Sequence, residues 1–497
     1  MKRMEPDKSL VSVSYAVRPT VVAQYVGALC LLLALSGSVP LLFTLFVEGR
    51  THAASQALVY GGLAVLGLLL GGKRGQVELQ RNEALVIVVL TFMIAAVASA
   101  LPMMDRGLTF SSALFESVSG ITTTGLSTIA DVQAQAPGLL FTAAWLQWIG
   151  GLGIMVLAFA LLFGQGVNAM RLTGVLSERS MLGGTRAHGR IVLAAYIGLT
   201  LLGITLLKLT GLDWFGSLTL GLAAVSTGGY SPYNASIGGL HGVTQTVVIL
   251  LSVSGAFGML LYYRLWRREW RLVFRDPELR ALWVFAALVA AGVALMLWRS
   301  GEMNAGDALQ TGVMTALSAQ STTGFSVLPP ASLDPTSKLL LIFSMLAGGG
   351  VGSTAGGIKL LRVLILLNLV RHLVMRSRLL EHAVVPPHFL GRTWSDDALL
   401  GVLLVVTLHL LVVGLSWLAF LPYGYDPPDA LFEVVSACGT VGLSTGITSA
   451  SLPGPLQAVL LADMLLGRLE VVAVLVFLAP RTWFGQHRAA PLPRVGE

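Results

Sequence analysis

Ten long apolar segments follow one another along this 497-residue chain, and their number and length restrict the possible folds severely. They cover about 20–47, 56–72, 84–104, 138–165, 190–212, 243–263, 281–298, 337–372, 398–422 and 454–479. Most reach the ~20 residues that a helix needs to cross a bilayer, although the second is short and 337–372 is too long for one simple span. Strands of a membrane barrel alternate apolar and polar side chains, and these segments do not. Because the chain is 55% hydrophobic and only 11% charged, the prediction is an all-α membrane protein with ten spans.

Lysine and arginine are distributed unevenly between the predicted loops. With the N-terminus placed inside, the two tails and four connecting segments fall on the cytoplasmic side and hold 24 of the 32 basic residues. These connecting segments are 73–83, 164–190, 264–280 and 371–397. The bias predicts that both termini are cytoplasmic. The net charge of +7 therefore does not indicate a nucleic-acid partner, and the basic stretch 264–275 is interpreted as an anchor in the inner leaflet.

A sixteen-residue sequence occurs twice, near the two ends of the chain. Residues 113–128 read ALFESVSGITTTGLST and residues 430–445 read ALFEVVSACGTVGLST, with eleven identical positions. The ending Thr-x-Gly-apolar-Ser occurs four times, starting at Thr123, Thr227, Thr322 and Thr440. Each copy lies between two long apolar segments and follows 10–15 moderately apolar residues, too few to cross a bilayer. The sequence therefore predicts four units of span, short re-entrant helix, polar strand and span.

The chemistry of these four motifs favours a monovalent cation. Non-helical backbone at membrane depth is tolerated only where it is buried in protein or lines an aqueous path. Glycine permits positive φ and threonine adds an uncharged oxygen, so four such strands around an axis would replace the hydration shell of a cation. None of the four pentapeptides contains Asp or Glu, which disfavours a divalent ion. Tight helix packing through small residues is the alternative, and it suits polar, non-spanning positions poorly.

The long segment 337–372 contains a dense run of glycines, AGGGVGSTAGGIK at 347–359. Each glycine in a helix costs ~1 kcal/mol relative to alanine, so the run predicts a break. A loop with few packed side chains moves at small cost, and this one is predicted to be a gate just cytoplasmic of the motifs. A tightly packed kinked helix is the alternative. The predicted gate residues are Gly348, Gly349, Gly350, Gly352, Ser353, Thr354, Gly356 and Gly357.

Two basic residues in the spans are predicted to serve the same region. Arg468 lies about fourteen residues into an apolar segment, and a charge near the bilayer centre costs at least ~2.5 kcal/mol unless it is paired or hydrated. We expect Arg468 to face the pore and donate to carbonyls of the 348–357 loop; an ion pair with Glu470 or Asp463 is the alternative. Lys359 follows the loop and either pairs with a carboxylate or lies at the inner mouth.

Glu116 and Glu433 occupy equivalent places, seven residues before the first threonine of the first and fourth motifs. They either add negative potential near the outer pore or brace the re-entrant helices through hydrogen bonds. The other two motifs have Leu220 and Thr315 in this place, so the carboxylates do not form a symmetric ring.

From about 84 to 480, these features resemble the Trk/Ktr/HKT superfamily of potassium transporters. The two additional apolar segments at 20–72 resemble the bacterial TrkH/TrkG branch rather than the shorter KtrB branch. The resemblance implies four pseudo-symmetric membrane–pore–membrane repeats around one pore, plus two extra N-terminal transmembrane helices. It also implies a gating loop at 348–357 that cooperates with Arg468. The implied K⁺-binding filter residues are Thr123, Thr124, Gly125, Thr227, Gly228, Gly229, Thr322, Thr323, Gly324, Thr440, Val441 and Gly442.

The resemblance implies potassium uptake through a gated, channel-like pore in the bacterial inner membrane. The alternative is a potassium symporter of the Ktr type, coupled to protons or sodium. The expected units are an N-terminal hairpin and loop (1–83) and four pore repeats. These repeats are 84–189, 190–280, 281–397 and 398–497.

The implied partners are a second copy of the chain, with one pore in each protomer, and a cytoplasmic TrkA-like subunit that binds nucleotides. No P-loop or GxGxxG motif is visible in this sequence, and no organic cofactor is expected. The basic segments 171–190, 264–280 and 371–392 would form a docking face for the TrkA-like subunit.

Other classes of function fit the sequence less well. An intramembrane enzyme needs a nucleophile and a base within reach, and His409 is the one mid-span histidine, with no accompanying motif. A secondary transporter built from inverted repeats is the other rival, but here the unit recurs in a single orientation. Cys30 and Cys438 both lie in apolar surroundings and indicate neither a disulfide framework nor a metal site.

Overall fold

The computed structural model describes residues 16–71, 79–163, 184–378, 388–389 and 392–484. Much of what the sequence places on the cytoplasmic side lies outside these residues: 1–15 and 485–497 of the two tails, 73–78, 164–183 and 379–387. The described part is helical apart from one antiparallel hairpin, in which His388 pairs with Thr393 and Phe389 with Arg392. The predicted all-helical class is confirmed.

The first half of the chain contains five long helices and several short ones. The helices are α1 (Pro19–Val47), α2 (Arg50–Gly71), α3 (Arg81–Met104), α4 (Phe110–Ile121), α5 (Pro137–Phe163), α6 (Gly184–Leu209), α7 (Trp214–Val225), α8 (Gly242–Gly255), α9 (Met259–Trp266) and α10 (Trp270–Phe274). Helix α2 begins in the polar sequence Arg-Thr-His, ahead of the short apolar segment at 56–72, and so reaches 22 residues.

The second half has fewer continuous long helices. It contains α11 (Pro277–Arg299), α12 (Ala305–Gln320), α13 (Pro335–Ala347), α14 (Leu360–Arg376), β1 (His388–Phe389), β2 (Arg392–Thr393), α15 (Asp396–Phe420), α16 (Pro427–Cys438), α17 (Gly454–Leu469), α18 (Val471–Leu478) and α19 (Pro480–Trp483). Single 3₁₀ turns occur at Pro330–Ser332 and Leu421–Tyr423.

Seven of the described helices are long and apolar enough to cross a membrane: α1, α2, α3, α5, α6, α11 and α15. The other three predicted spans are each divided into two helices. The break between α13 and α14 confirms the prediction made from the glycine run. The breaks between α8 and α9 and between α17 and α18 were not predicted, so the expectation of continuous spans at 243–263 and 454–479 was wrong.

Each of these two breaks lies against a residue that is distant in sequence. At the first, a Cβ on Gly258 would lie 2.7 Å from the carbonyl oxygen of Val351, so the chain passes too close to the glycine loop for a larger residue. At the second, Glu470 has φ +63°, outside the helical region, and its carboxylate pairs with Arg362 of α14 at 2.5 Å.

The four short helices α4, α7, α12 and α16 lie where the sequence predicts a short helix before each motif. Thr109, Asp213 and Asn304 cap the first three, each accepting a hydrogen bond from a backbone N–H three residues later. The largest hydrophobic cluster packs α4, α12 and α16 with α3, α13 and α17, which fixes three of the four short helices inside the protein.

The N-terminal helices α1 and α2 pack side by side against α3 and α5. Arg18, just before α1, forms an ion pair with Glu83 of α3 at 2.7 Å. The Val17 N–H donates to the Thr482 carbonyl at 2.9 Å. The described ends of the chain therefore meet on one side of the molecule.

Candidate functional site

The four motifs share one unusual backbone conformation. Their first residues, Thr123, Thr227, Thr322 and Thr440, have φ between +49° and +56°. Such values are uncommon for residues other than glycine. The glycine two residues later also has positive φ in every motif: +88° at Gly125, +78° at Gly229, +81° at Gly324 and +93° at Gly442. In all four motifs the chain therefore leaves the preceding short helix in the same way.

The glycines place the four motifs in contact with one another in a closed cycle. A Cβ on Gly125 would collide with the carbonyl oxygen of Gly228, in the second motif. A Cβ on Gly229 would meet the Thr323 carbonyl, and one on Gly324 would meet the Val441 carbonyl. A Cβ on Gly442 would collide with the carbonyl oxygen of Thr124, which returns to the first motif. Each position therefore needs glycine both for its φ and for this close approach.

Hydrogen bonds to the preceding helix hold each motif in place. The N–H of the second motif residue donates to the carbonyl five residues earlier: Thr124 to Ser119, Gly228 to Ala223, Thr323 to Ser318 and Val441 to Ser436, at 2.8–3.1 Å. The hydroxyls of Thr124 and Thr323 bond to the neighbouring cap residues Thr122 and Ser321, both at 2.8 Å. The second threonine is thereby tied to its own helix end.

Glu116 and Glu433 brace the segments that follow the first and fourth glycines. Both carboxylates are buried. Glu116 accepts from the Thr128 N–H at 2.7 Å and from the Tyr230 hydroxyl of the second motif at 2.7 Å. Glu433 accepts from the Thr445 N–H at 2.7 Å and from three hydroxyls, those of Ser444, Thr445 and Thr448. These contacts match the interpretation that the two carboxylates act as hydrogen-bonding braces.

Two buried glutamines that sequence reasoning missed also contact this region. Gln147 of α5 donates its Nε2 to the Gly228 carbonyl and accepts from the Tyr230 N–H at 3.1 Å. Gln320, at the end of α12, donates to the Gly348 carbonyl at 2.6 Å and accepts from Ser344 at 2.9 Å. For Gln147, the available signal was a single amide side chain in the otherwise apolar helix α5; Gln320 had no such signal, because α12 also contains Gln310 and Asp307.

The glycine loop between α13 and α14 lies against the first threonines of the motifs. Its Gly356 N–H donates to the Thr322 hydroxyl oxygen at 2.7 Å, and the Thr354 hydroxyl lies 3.1 Å from that of Thr227. Gly348, Gly352 and Gly357 have positive φ, so this stretch is an irregular loop and the kinked-helix alternative is wrong.

The break between α8 and α9, together with the start of α11, holds the other side of this loop. The Gly350 N–H donates to the Ala256 carbonyl at 3.1 Å, between α8 and α9. The Val351 N–H donates to the Glu278 carboxylate at 2.7 Å, at the start of α11. The loop is thus fixed through its backbone, and Glu278 is a further contact that sequence reasoning missed.

Arg468 of α17 makes the contact expected of it. Its side chain is buried, and Nη1 donates to the Thr354 carbonyl at 2.6 Å while Nη2 lies 3.4 Å from the Gly150 carbonyl. Within the described residues it forms no ion pair: Asp463 accepts from Ser416 and Glu470 pairs with Arg362. Lys359 donates to the Ala355 carbonyl rather than to a carboxylate.

Sequence comparison connects this geometry to a known family. The profile of the TrkH family, described as a cation transport protein, matches residues 56–483. The chain belongs to the TrkH family. The match includes all four motifs, the glycine loop and Arg468.

Several relatives of this TrkH-family chain match it over nearly its whole length. The Trk system potassium uptake protein TrkH of Halomonas elongata is 29% identical over 479 residues, which cover 93% of this chain and 98% of the relative. The protein of the same name from Escherichia coli is 29% identical over 487 residues, covering 93% and 99%. An uncharacterized cation transporter of Methanocaldococcus jannaschii is 28% identical over 419 residues, covering 84% and 86%.

A solved structure shares the fold of this TrkH-family chain. The crystal structure of the potassium transporter TrkH from Vibrio parahaemolyticus superposes with a TM-score of 0.84 at 24% identity. The superposition covers 94% of this chain and all of the other. Together with the seven long apolar helices, this establishes a multi-pass membrane protein with the TrkH fold.

One ionisable group outside the spans supports the second re-entrant helix of this TrkH-family chain. Asp213 accepts from the Gly216 N–H at 2.9 Å and from the Tyr233 hydroxyl at 3.0 Å. Partial burial opposes ionisation of Asp213, but these hydrogen bonds outweigh it and hold the pKa of the carboxyl below its ordinary value. The carboxylate therefore stays charged at neutral pH and caps α7.

Proposed function

We propose that this chain is the potassium-conducting membrane subunit of a Trk-type uptake system in the bacterial inner membrane. Relatives named as potassium uptake proteins, matched over 98–99% of their length, support the assignment. Four membrane–pore–membrane repeats (84–189, 190–280, 281–397 and 398–497) surround one pore. The N-terminal unit 1–83, with α1 and α2, stands outside the repeats, and both chain termini are cytoplasmic.

The closed cycle of the four motifs is the observation that carries this proposal. Each motif contacts the next through a glycine and a carbonyl oxygen, and the fourth returns to the first. The donors are uncharged carbonyl and hydroxyl oxygens, which replace the hydration shell of K⁺ without the carboxylates that favour divalent ions. The filter consists of Thr123, Thr124, Gly125, Thr227, Gly228, Gly229, Thr322, Thr323, Gly324, Thr440, Val441 and Gly442.

The glycine loop at 348–357 and Arg468 act as the gate. The loop lies between the first threonines of the motifs and the guanidinium of Arg468, which donates to its Thr354 carbonyl. The closed loop obstructs the path below the motifs, and the positive charge of Arg468 beside it raises the energy of a cation there. Withdrawal of the loop removes the obstruction. The loop is held mainly by backbone hydrogen bonds, so a modest force moves it.

The proposed assembly is a homodimer that binds a cytoplasmic, nucleotide-binding TrkA-like subunit. The name of the relatives, a Trk system protein, supports a multi-subunit system. Within the described residues, the segment 264–280 offers exposed basic side chains for docking and is joined to the loop through Glu278. The proposed docking segments at 171–183 and 379–387 lie outside the described residues.

Ion selectivity of a Gly324→Ser variant tests the filter. A side chain at Gly324 meets the Val441 carbonyl at a φ that costs an L-residue ~1–2 kcal/mol. We expect the K⁺/Na⁺ permeability ratio in liposomes to fall about tenfold, which corresponds to 1.4 kcal/mol. Gly424→Ser is the matched control, because Gly424 has φ +80° but open space where the Cβ would lie. Unchanged permeability ratios in Gly324→Ser would count against the filter.

A further inference from the structure

The first threonines of the four motifs form a second layer of oxygens at the loop side of the cycle. Thr123, Thr227, Thr322 and Thr440 share the same backbone conformation and are fully buried. The hydroxyls of Thr227, Thr322 and Thr440 lie beside the glycine loop. Side-chain oxygens in such a ring are suitable ligands for a dehydrated monovalent cation.

The glycine loop contacts three of these four hydroxyls. The Gly356 N–H donates to the Thr322 hydroxyl oxygen at 2.7 Å, so the loop backbone lies directly against an oxygen that a cation would contact. The Thr227 hydroxyl lies 3.1 Å from that of Thr354. A Cβ on Gly356 would collide with the hydroxyl of Thr440, so the loop backbone reaches into the ring itself.

Two of the four hydroxyls have no hydrogen-bond partner among the described residues. Within the described part of the chain, the Oγ1 atoms of Thr123 and Thr440 are buried and form no hydrogen bond. The closed loop therefore forms hydrogen bonds with Thr227 and Thr322 and none with Thr123 and Thr440.

We propose that the four threonine hydroxyls form a monovalent-cation site that is complete only when residues 353–357 withdraw, so that bound K⁺ and the closed loop exclude one another. This rests on the proposed filter function and adds a mode of regulation to it. The Gly356 backbone takes up the space beside the Thr322 and Thr440 oxygens that the cation would occupy, and Arg468 holds the loop on the closed side through the Thr354 carbonyl.

Linkage gives the expected size of the effect. A cation that binds only the open arrangement multiplies the open-to-closed ratio by 1 + [K⁺]/Kd. At ten times Kd this factor is about 11. Potassium itself then favours opening, in addition to any force applied from the cytoplasm.

Thiol labelling of the loop in the full chain tests this competition. Val351→Cys keeps the backbone bond to Glu278 and introduces a partly buried thiol. The native Cys30 and Cys438 are buried, and the parent chain measures their background labelling. We expect the maleimide reaction rate to rise several-fold and saturate as KCl replaces N-methylglucamine chloride at constant ionic strength. A rate independent of KCl overturns the proposal.

Two threonine variants, made in the Val351→Cys chain, separate the loop contact from the cation contact. Thr322→Val removes the loop contact and a cation ligand together, so labelling should be fast without K⁺. Thr123→Val removes a cation ligand and leaves the loop bonded, so labelling without K⁺ should stay slow while the KCl concentration for half-maximal rate rises several-fold. If Thr322→Val folds poorly, Thr227→Val repeats the first test, because the Thr227 hydroxyl also lies near the loop. Identical behaviour of the Thr123 and Thr322 variants would refute the competition.

The outcome for Gly324→Ser distinguishes this proposal from the function on which it rests. If Gly324→Ser changes the K⁺/Na⁺ permeability ratio while labelling ignores K⁺, the filter stands and the competition is wrong. If Gly324→Ser leaves the permeability ratio unchanged and labelling does not depend on K⁺, both the filter and the competition are wrong.

Discussion

At the scale of single residues, the glycines of the four motifs are the most constrained positions. The sequence identified Gly125, Gly229, Gly324 and Gly442 because they recur with a fixed spacing from threonine. Positive φ at these glycines follows from general stereochemistry. Positive φ at the first threonines does not, because an L-residue adopts it only where surrounding contacts compensate for the strain.

Contacts made across the fold were harder to predict than the motifs themselves. Glu116 and Glu433 were noticed because they recur, but their acceptor role depends on where the chain returns after each glycine. Gln147 and Glu278 have no repeat partner to mark them, and their targets are distant in sequence. Sequence patterns report periodicity well and report long-range pairing poorly.

Glu433→Gln provides a prediction at this scale. The Glu433 carboxylate accepts four hydrogen bonds from the segment after Gly442, and an amide offers one acceptor oxygen together with an NH₂ that faces donors. We expect unfolding to become easier by about 1–3 kcal/mol, measured as a lower thermal midpoint in detergent. Glu302→Gln, at an exposed position, is the control. Equal midpoints for the two variants would mean that Glu433 does not brace the filter.

At the scale of elements, the informative features are three spans that break. The glycine run at 347–359 predicted one break from composition alone. The breaks at Gly258 and Glu470 carry no comparable local signal, because each depends on a neighbour: the Val351 carbonyl for Gly258 and Arg362 for Glu470. All three interruptions belong to the second halves of proposed repeats. The first repeat has no break of this kind in the described part of α5.

Shortening the glycine loop is the prediction for this scale. Removing residues 349–352 deletes the bonds to Ala256 and Glu278 and leaves too little chain to reach the threonine ring. We expect K⁺ flux into liposomes to rise several-fold, because the barrier beside Arg468 is withdrawn. Gel filtration and the thermal midpoint establish that the variant is folded. Complete loss of flux in a folded variant would assign the loop a structural role instead of a gating one.

At the scale of the whole molecule, one chain carries the complete cycle of motifs. Apolar segments and fourfold motifs were enough to predict an all-helical membrane protein, and the match to residues 56–483 places it in the TrkH family. A single protomer therefore provides every proposed filter ligand. The sequence has no comparable signal for oligomeric state or for coupling to a second ion, since both depend on surfaces and energetics that no motif encodes.

Flux under imposed gradients distinguishes the channel-like mechanism from the Ktr-type symport alternative. A continuous path through the filter follows the electrochemical gradient of K⁺ alone. We expect the reversal potential to track the K⁺ gradient and to stay unchanged when a pH or Na⁺ gradient is imposed, with Gly424→Ser behaving like the parent. A reversal potential that shifts with the proton or sodium gradient in a fixed ratio would establish coupling and favour the symporter.

The central claim, that the four motifs jointly bind one column of monovalent cations, is tested most directly by anomalous diffraction from crystals grown in Rb⁺. The account predicts an anomalous peak inside the cycle, within coordination distance of the carbonyl oxygens of Thr124, Gly228, Thr323 and Val441. Rb⁺ peaks found only elsewhere in the molecule, with none inside the cycle, would contradict it.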